Sequence, residues 1–200
     1  MKVNEAGHEA DEDSAAQAMG LALTALGFDW EDDPNMRETP RRWARMMVNE
    51  VCSGSYRDAP KITTFPKAEG ADQVYVVGPL SVRSLCSHHL LPITGRAWVV
   101  VWPGESLVGL SKFARLCDWV MRRPQIQEEA TAQLADAIEA LCAPRAVAVT
   151  VDAEHHCMTY RGVLHERSRM VTSVMRGAFL TDPDLKAEGL RLIEQAARHP

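Results

Sequence analysis

Hydrophobic residues follow a helical rhythm at both ends of the chain and in its middle, and a strand-like rhythm in four stretches between. From Ser14, the residues Met19, Leu21, Leu23 and Leu26 form an apolar stripe that predicts a helix ending at Gly27. Thr39-Pro40 reads as an N-cap followed by proline at the first helical position, and predicts a second helix through Trp43, Met46, Met47 and Val51 that stops near Gly54. Runs rich in valine and threonine at Val74–Val77, Ala97–Trp102, Ala146–Val151 and Arg169–Met175 predict strands, because such side chains fit a pleated surface. Between the second and third runs, helical spacing covers Ser111 to about Met121 and Gln125 to about Leu141. A closing helix is predicted over Pro183–Ala197, with Leu185, Leu190 and Ile193 inward.

Strands, helices, then strands again predict an α+β fold: an antiparallel sheet with helices packed on one face, preceded by an N-terminal helical arm. Residues 1–13 carry five acids and no large apolar side chain after Val3, and are expected to fray. The helical arm is assigned to residues 14–70, and the domain carrying the sheet and its chemistry to residues 71–200. There is no internal repeat or low-complexity segment.

Composition narrows the class. Two hundred residues at 46% hydrophobic content support one domain with a core, or a domain plus a helical arm. A net charge of −5 gives no general reason to bind nucleic acid or a membrane surface. Basic residues do cluster locally at Arg41-Arg42, Lys112 to Arg115 and Arg122-Arg123, which suits an anionic small molecule. No run of eighteen apolar residues occurs and the acidic start does not read as a signal sequence, so a cytoplasmic location is expected. Five loosely spaced cysteines argue against a secreted disulfide framework, and Cys52, Cys117 and Cys142 read as small buried residues.

The candidate chemistry lies in two separated clusters, Cys86-Ser87-His88-His89 and His155-His156-Cys157. Zinc takes sulfur and imidazole nitrogen in a tetrahedron, and catalytic sites keep three protein ligands so that a fourth position can hold water. Cys86, His89 and Cys157 supply such a set, which leaves His88 and His155 to give and take protons near neutral pH. Spacing alone leaves the other reading open, in which these are core residues. Ser111, Lys112 and Arg115 place a hydroxyl and two cations near a predicted helix start, an arrangement that suits phosphate and equally suits a solvated basic face. Arg161, four positions beyond Cys157, adds a cation, and Gln127-Glu128 opens a helix whose dipole a carboxylate complements.

Leu110-Ser111-Lys112-Phe113-Ala114-Arg115, Arg122-Arg123-Pro124-Gln125-Ile126-Gln127-Glu128, Cys157-Met158-Thr159-Tyr160-Arg161-Gly162-Val163 and Val171-Thr172-Ser173, together with His88-His89-Leu90-Leu91-Pro92, closely resemble GTP cyclohydrolase I in order and spacing. The resemblance runs from about residue 14 to about residue 195 and is strongest from 84 to 177. It implies the tunnelling fold, with subunit sheets joined into a barrel, two stacked rings forming a homodecamer, and active sites at subunit junctions. It further implies GTP as substrate and zinc as cofactor, with opening of the guanine imidazole ring, loss of carbon 8 as formate and rearrangement to 7,8-dihydroneopterin triphosphate. By the same resemblance Cys86, His89 and Cys157 bind the metal and His88 and His155 are catalytic. Ser111, Lys112, Arg115 and Arg161 would bind the triphosphate, while Gln127 and Glu128 would recognise the base, whose adjacent ring N–H and amine a carboxylate can accept as a pair. His156 falls at an unspecified position of the motif, and His8, His165 and His199 acquire no role.

The sequence departs from the family at Ser87, where a glutamate is usual, and at Pro92-Ile93-Thr94-Gly95, where an aromatic usually follows the proline. Three alternatives compete: an enzyme that stops at a partly hydrolysed or cyclised product, the related cyano-deazaguanine reductase, and an inactive guanine-nucleotide-binding subunit with structural zinc. Paired zinc cysteines argue against the reductase, and the retained His88 and His155 against the inactive subunit.

Overall fold

Asp11 opens the first helix. Its carboxylate accepts hydrogen bonds from the backbone N–H groups of Asp13 and Ser14, both at 3.0 Å, and so caps α1 (Glu12–Ala25). Acids in the first turn complement the helix dipole, so the helix starts inside the stretch expected to fray. The computed structural model describes residue 7 and residues 9–198; the rest of the expected tail, residues 1–6 and 8, lies outside the described residues, as do His8 and His199. At the other end Gly27, at φ +84°, donates to the Thr24 carbonyl and Phe28 donates to the Leu23 carbonyl, a paired closure that needs the left-handed backbone glycine supplies. Only part of the expected stripe is inward: Leu23 is buried, but Leu21 and Leu26 are 73% and 72% exposed. Residue 21 is two positions from both 19 and 23, which turns it to the far side of a helix.

α2 (Thr39–Met46) holds Thr39 as its first helical residue; the capping position is Glu38, which makes no side-chain bond. The helical path widens through Met47–Val51 and tightens through Ser53–Ser55. α1 and α2 pack on one another, and this unit closes at Asp58.

The second unit begins at Ala59. Its elements are β1 (Thr64–Pro66), β2 (Tyr75–Cys86), β3 (Pro92–Trp102), β4 (Ser106–Val108), α3 (Leu110–Met121), β5 (Pro124–Gln125), α4 (Gln127–Cys142), β6 (Ala146–His155), α5 (His156–Thr159), β7 (Met170–Gly177) and α6 (Pro183–Ala197). β1 pairs with β4, Thr64 opposite Val108, so residues 59–70 belong with the sheet-bearing unit and not with the helical arm expected over 14–70. The main sheet runs β5-β2-β3-β6-β7, antiparallel throughout except for the short parallel pairing of β5 on β2. All four expected strands are present and β2 runs well past Val77. Gly78-Pro79 masks its continuation in the sequence; the pair sits at a bulge between Val77 and Leu80, one of the few places a strand tolerates proline.

Alternation along the strands builds two hydrophobic layers. Ala97, Val99 and Val101 of β3 face the cluster made with Phe113 and Val120 of α3 and Leu134 and Ile138 of α4, the expected helical layer. On the opposite face Val100 and Ala148 pack with Phe179, covered by Leu185 and Ile193 of α6. Leu190 is 39% exposed; Gly189 takes the inward place, because a Cβ there would already lie 3.3 Å from the Phe179 ring.

Register decides where the chemistry goes. Leu85 pairs with Pro92, Ile93 with His155, and Ala153 with Met170, so the end of β2, the start of β3, the end of β6 and the start of β7 share one end of the sheet. Just inside that end, a Cβ at Gly95 would run into the Asp152 carbonyl and the Ala153 backbone, so β3 and β6 approach only because residue 95 has no side chain.

Candidate active site

Cys86 is the last residue of β2, held opposite Gln125 of β5 and buried. A tight turn follows, closed by Leu90 N–H to the Cys86 carbonyl and Cys86 N–H to the Leu91 carbonyl, both 2.8 Å. This turn brings two imidazoles back to the sulfur: His88 Nδ1 lies 3.8 Å and His89 Nδ1 3.9 Å from Cys86 Sγ. From the other side of β3, β6 ends at His155 and the single turn of α5 presents Cys157. The ligand atoms of Cys86, His89 and Cys157 lie within 4.8 Å of one another, the only such group of three among the described residues.

In a zinc tetrahedron with bonds of about 2.3 Å to sulfur and about 2.0 Å to nitrogen, neighbouring donors sit roughly 3.6 to 3.8 Å apart. The three donors here therefore fit such an ion after a small closure. Burial and the neighbouring Cys86 sulfur push the Cys157 thiol above its usual value, while the Arg161 guanidinium acts in the opposite direction. Arg161 Nη1 also lies 3.3 Å from His89 Nε2.

His155 is held from below. Its Nε2 lies 2.8 Å from Oε1 of Gln127, the buried first residue of α4. Burial lowers the His155 pKa, and the carboxylate of Glu128 opposes that shift. His155, Cys157, Met158, Ser168, Arg169 and Met170 line a cavity of about 340 Å³. His156 turns elsewhere, pairing through Nε2 with Thr94 Oγ1 at 3.2 Å and so tying α5 to β3.

Glu128 is exposed on the first turn of α4, beside Gln127. Ser111 and Arg115 are exposed and Lys112 half-buried on the first turns of α3. Among the described residues no hydrogen bond or ion pair joins these three to the Cys86, His89 and Cys157 group. Both polar ends of the Gln127 side chain, expected to help recognise the base, are engaged within the protein. Sequence reasoning missed the partners of this glutamine, Thr131 and Thr172, and the Arg169–Asp152 ion pair at 2.6 Å beside the cavity. The only signal in the chain is Val171-Thr172-Ser173, a motif to which the sequence attaches no role.

The sequence pattern of GTP cyclohydrolase I matches residues 15–194. The chain belongs to the GTP cyclohydrolase I family. A GTP cyclohydrolase 1 of Rhodopirellula baltica is 43% identical over 190 residues, spanning 95% of this chain and 82% of its own. That of Shewanella amazonensis is 38% identical over 183 residues, 91% of this chain and 84% of its own. A solved archaeosine synthase QueF-Like in the apo form superimposes with a TM-score of 0.41 at 15% identity, over 60% of this chain and 97% of its own. Membership makes the chain a hydrolase, and its architecture is α+β.

Proposed function

We propose that this chain hydrolyses GTP, opening the guanine imidazole ring to give formate and 7,8-dihydroneopterin triphosphate, with zinc held by Cys86, His89 and Cys157. The observation that carries this reading is the gathering of a sulfur–nitrogen–sulfur donor set with His88 and His155 at one end of the sheet, in a chain of this family. Bound there, zinc supplies Lewis acidity and makes a water acidic enough to attack near neutral pH.

The protein's own groups do the rest. His88 and His155 give and take protons as the carbon–nitrogen bonds of the ring break. Glu128 reads the base, its carboxylate accepting from the ring N–H and exocyclic amine of guanine, a pair of donors that adenine does not offer. Ser111, Lys112 and Arg115 hold the triphosphate at the start of α3, where free backbone N–H groups and the helix dipole favour anions. Arg161 adds a fork of donors near the metal ligands. Gln127 reaches the reaction through His155.

Among the described residues no hydrogen bond or ion pair joins these α3 residues to the donor cluster, and the site we propose is completed by a second copy of the chain, as the resemblance implies. The outer edge of β7, with Val171 64% exposed, offers the open strand that joining of sheets requires. The homodecamer of two rings is the assembly proposed, working in the cytoplasm. Among the described residues no helix is long and apolar enough to cross a membrane. Supplying GTP labelled with carbon-13 at position 8 tests the chemistry: the label should leave as formate, and label retained in a nucleotide would refute the assignment.

A further inference from the structure

We propose that Gln127 is a positioning residue that fixes the tautomer of His155, with the ring hydrogen on Nε2 and the lone pair on Nδ1. The inference rests on the reading of His155 as a proton-transfer group, and it follows from the direction of each hydrogen bond around the glutamine. One terminal atom of the Gln127 side chain lies 3.1 Å from the Val151 carbonyl oxygen and 3.0 Å from the Met170 carbonyl oxygen. Backbone carbonyls only accept, so that atom is the amide nitrogen. The other terminal atom is then the carbonyl oxygen Oε1, and it faces His155 Nε2 at 2.8 Å. An amide oxygen also only accepts. His155 Nε2 therefore carries a hydrogen, and a neutral imidazole that has its hydrogen on Nε2 keeps Nδ1 as the nitrogen able to take a proton.

The two threonines close the alternatives. Thr131 Oγ1 lies 2.7 Å from the Gln127 backbone carbonyl and 2.7 Å from Thr172 Oγ1. The carbonyl accepts, so Thr131 donates to it and takes its second bond from the Thr172 hydroxyl. Thr172, having given its hydrogen, can only accept from the Gln127 amide at 3.0 Å. The two amide hydrogens thus share three acceptors from β6 and β7, and no atom of the network that faces the amide nitrogen is left to donate to it. Gln127 is 3% exposed and Thr131 0%, so water does not stand in for a lost partner. Rotating the amide by half a turn would set its oxygen against two carbonyls in a buried site, an arrangement with no compensating donor. The lock is assembled from α4, β6 and β7 and acts on the last residue of β6, at the wall of the cavity.

Solid-state NMR of the purified, zinc-loaded protein labelled with nitrogen-15 histidine reads the tautomer directly, at about pH 8 where imidazole is neutral. The His155 signals are assigned by their loss in His155→Asn. We expect the hydrogen-bearing nitrogen to be Nε2; a hydrogen on Nδ1 would overturn the proposal. In Gln127→Met the lock is removed, so the spectrum should show both tautomers, and kcat should fall about 10- to 100-fold, up to the lower end of a general acid–base contribution. KM for GTP should stay within about twofold, because the side chain acts through His155. A raised KM with kcat preserved would instead make Gln127 a base contact and sink the proposal. Thr172→Val, a smaller change, should move tautomer and kcat in the same direction if Gln127→Met does not fold. Were the wild-type protein inactive on GTP, the functional reading would fall, while the NMR spectrum would still decide the tautomer.

Discussion

At the scale of single residues, the two cysteines and three histidines that matter most are visible in the sequence because their side chains carry chemistry few other residues have. Cys157→Ser tests the donor set: zinc content, measured by atomic absorption on the purified protein, should fall together with activity. Full zinc content in that variant would contradict the ligand assignment. His155→Ala separates metal binding from proton transfer, since His155 Nε2 is engaged by Gln127 and His155 is not one of the three grouped donors. It should keep zinc and bind GTP while turnover drops about 100-fold or more; near-normal turnover would remove His155 from the chemistry. What sequence could not show at this scale is Gln127's engagement. Its partners lie on β6, β7 and α4, most of them separated from it by tens of positions along the chain, and only the folded register brings them within hydrogen-bond distance.

At the scale of elements, the strands and the helical layer are legible from periodicity, and the misses have local causes. Gly78-Pro79 interrupts the pattern of β2, and the stripe expected on α1 is too wide because Leu21 and Leu26 are apolar yet exposed. β1 is three residues long and finds its partner in β4, a pairing that no short-range signal announces. The pairing of β3 with β6 gives the test at this level. Gly95→Ala places a methyl group against Asp152 and Ala153, so the strands must part where they deliver Ile93 opposite His155. Stability measured by urea unfolding should fall by about 1 to 3 kcal/mol, the usual cost of overpacking. Turnover should fall with it even where the protein remains folded, and an unchanged unfolding midpoint would show that the strands absorb the methyl group.

For the whole molecule, buried ionisable groups outside the site set an alkaline limit. Burial pushes the Cys117 thiol up to about 12, the Cys142 thiol up to about 11 and the Tyr75 phenol up to about 12. Folded chains therefore keep protons that unfolded chains release above about pH 9 for thiols and about pH 10 for the phenol. Stability from these groups is fully present below that range and declines as pH rises towards their folded values. The urea midpoint should fall between about pH 8 and about pH 10.5, and less steeply in Cys117→Ala; parallel declines in the two proteins would exclude this thiol as a contributor.

The α+β class, the donor set and the family are legible because they rest on residue type and order. The relation of the α3 residues to the Cys86, His89 and Cys157 group is not, since among the described residues no hydrogen bond or ion pair joins them. Product identity tests the central claim most directly. Purified, zinc-loaded protein incubated with GTP should yield formate and a product with the mass and ultraviolet spectrum of 7,8-dihydroneopterin triphosphate. Recovery of unchanged GTP, of GDP with phosphate, or of a ring-opened nucleotide that goes no further would contradict it.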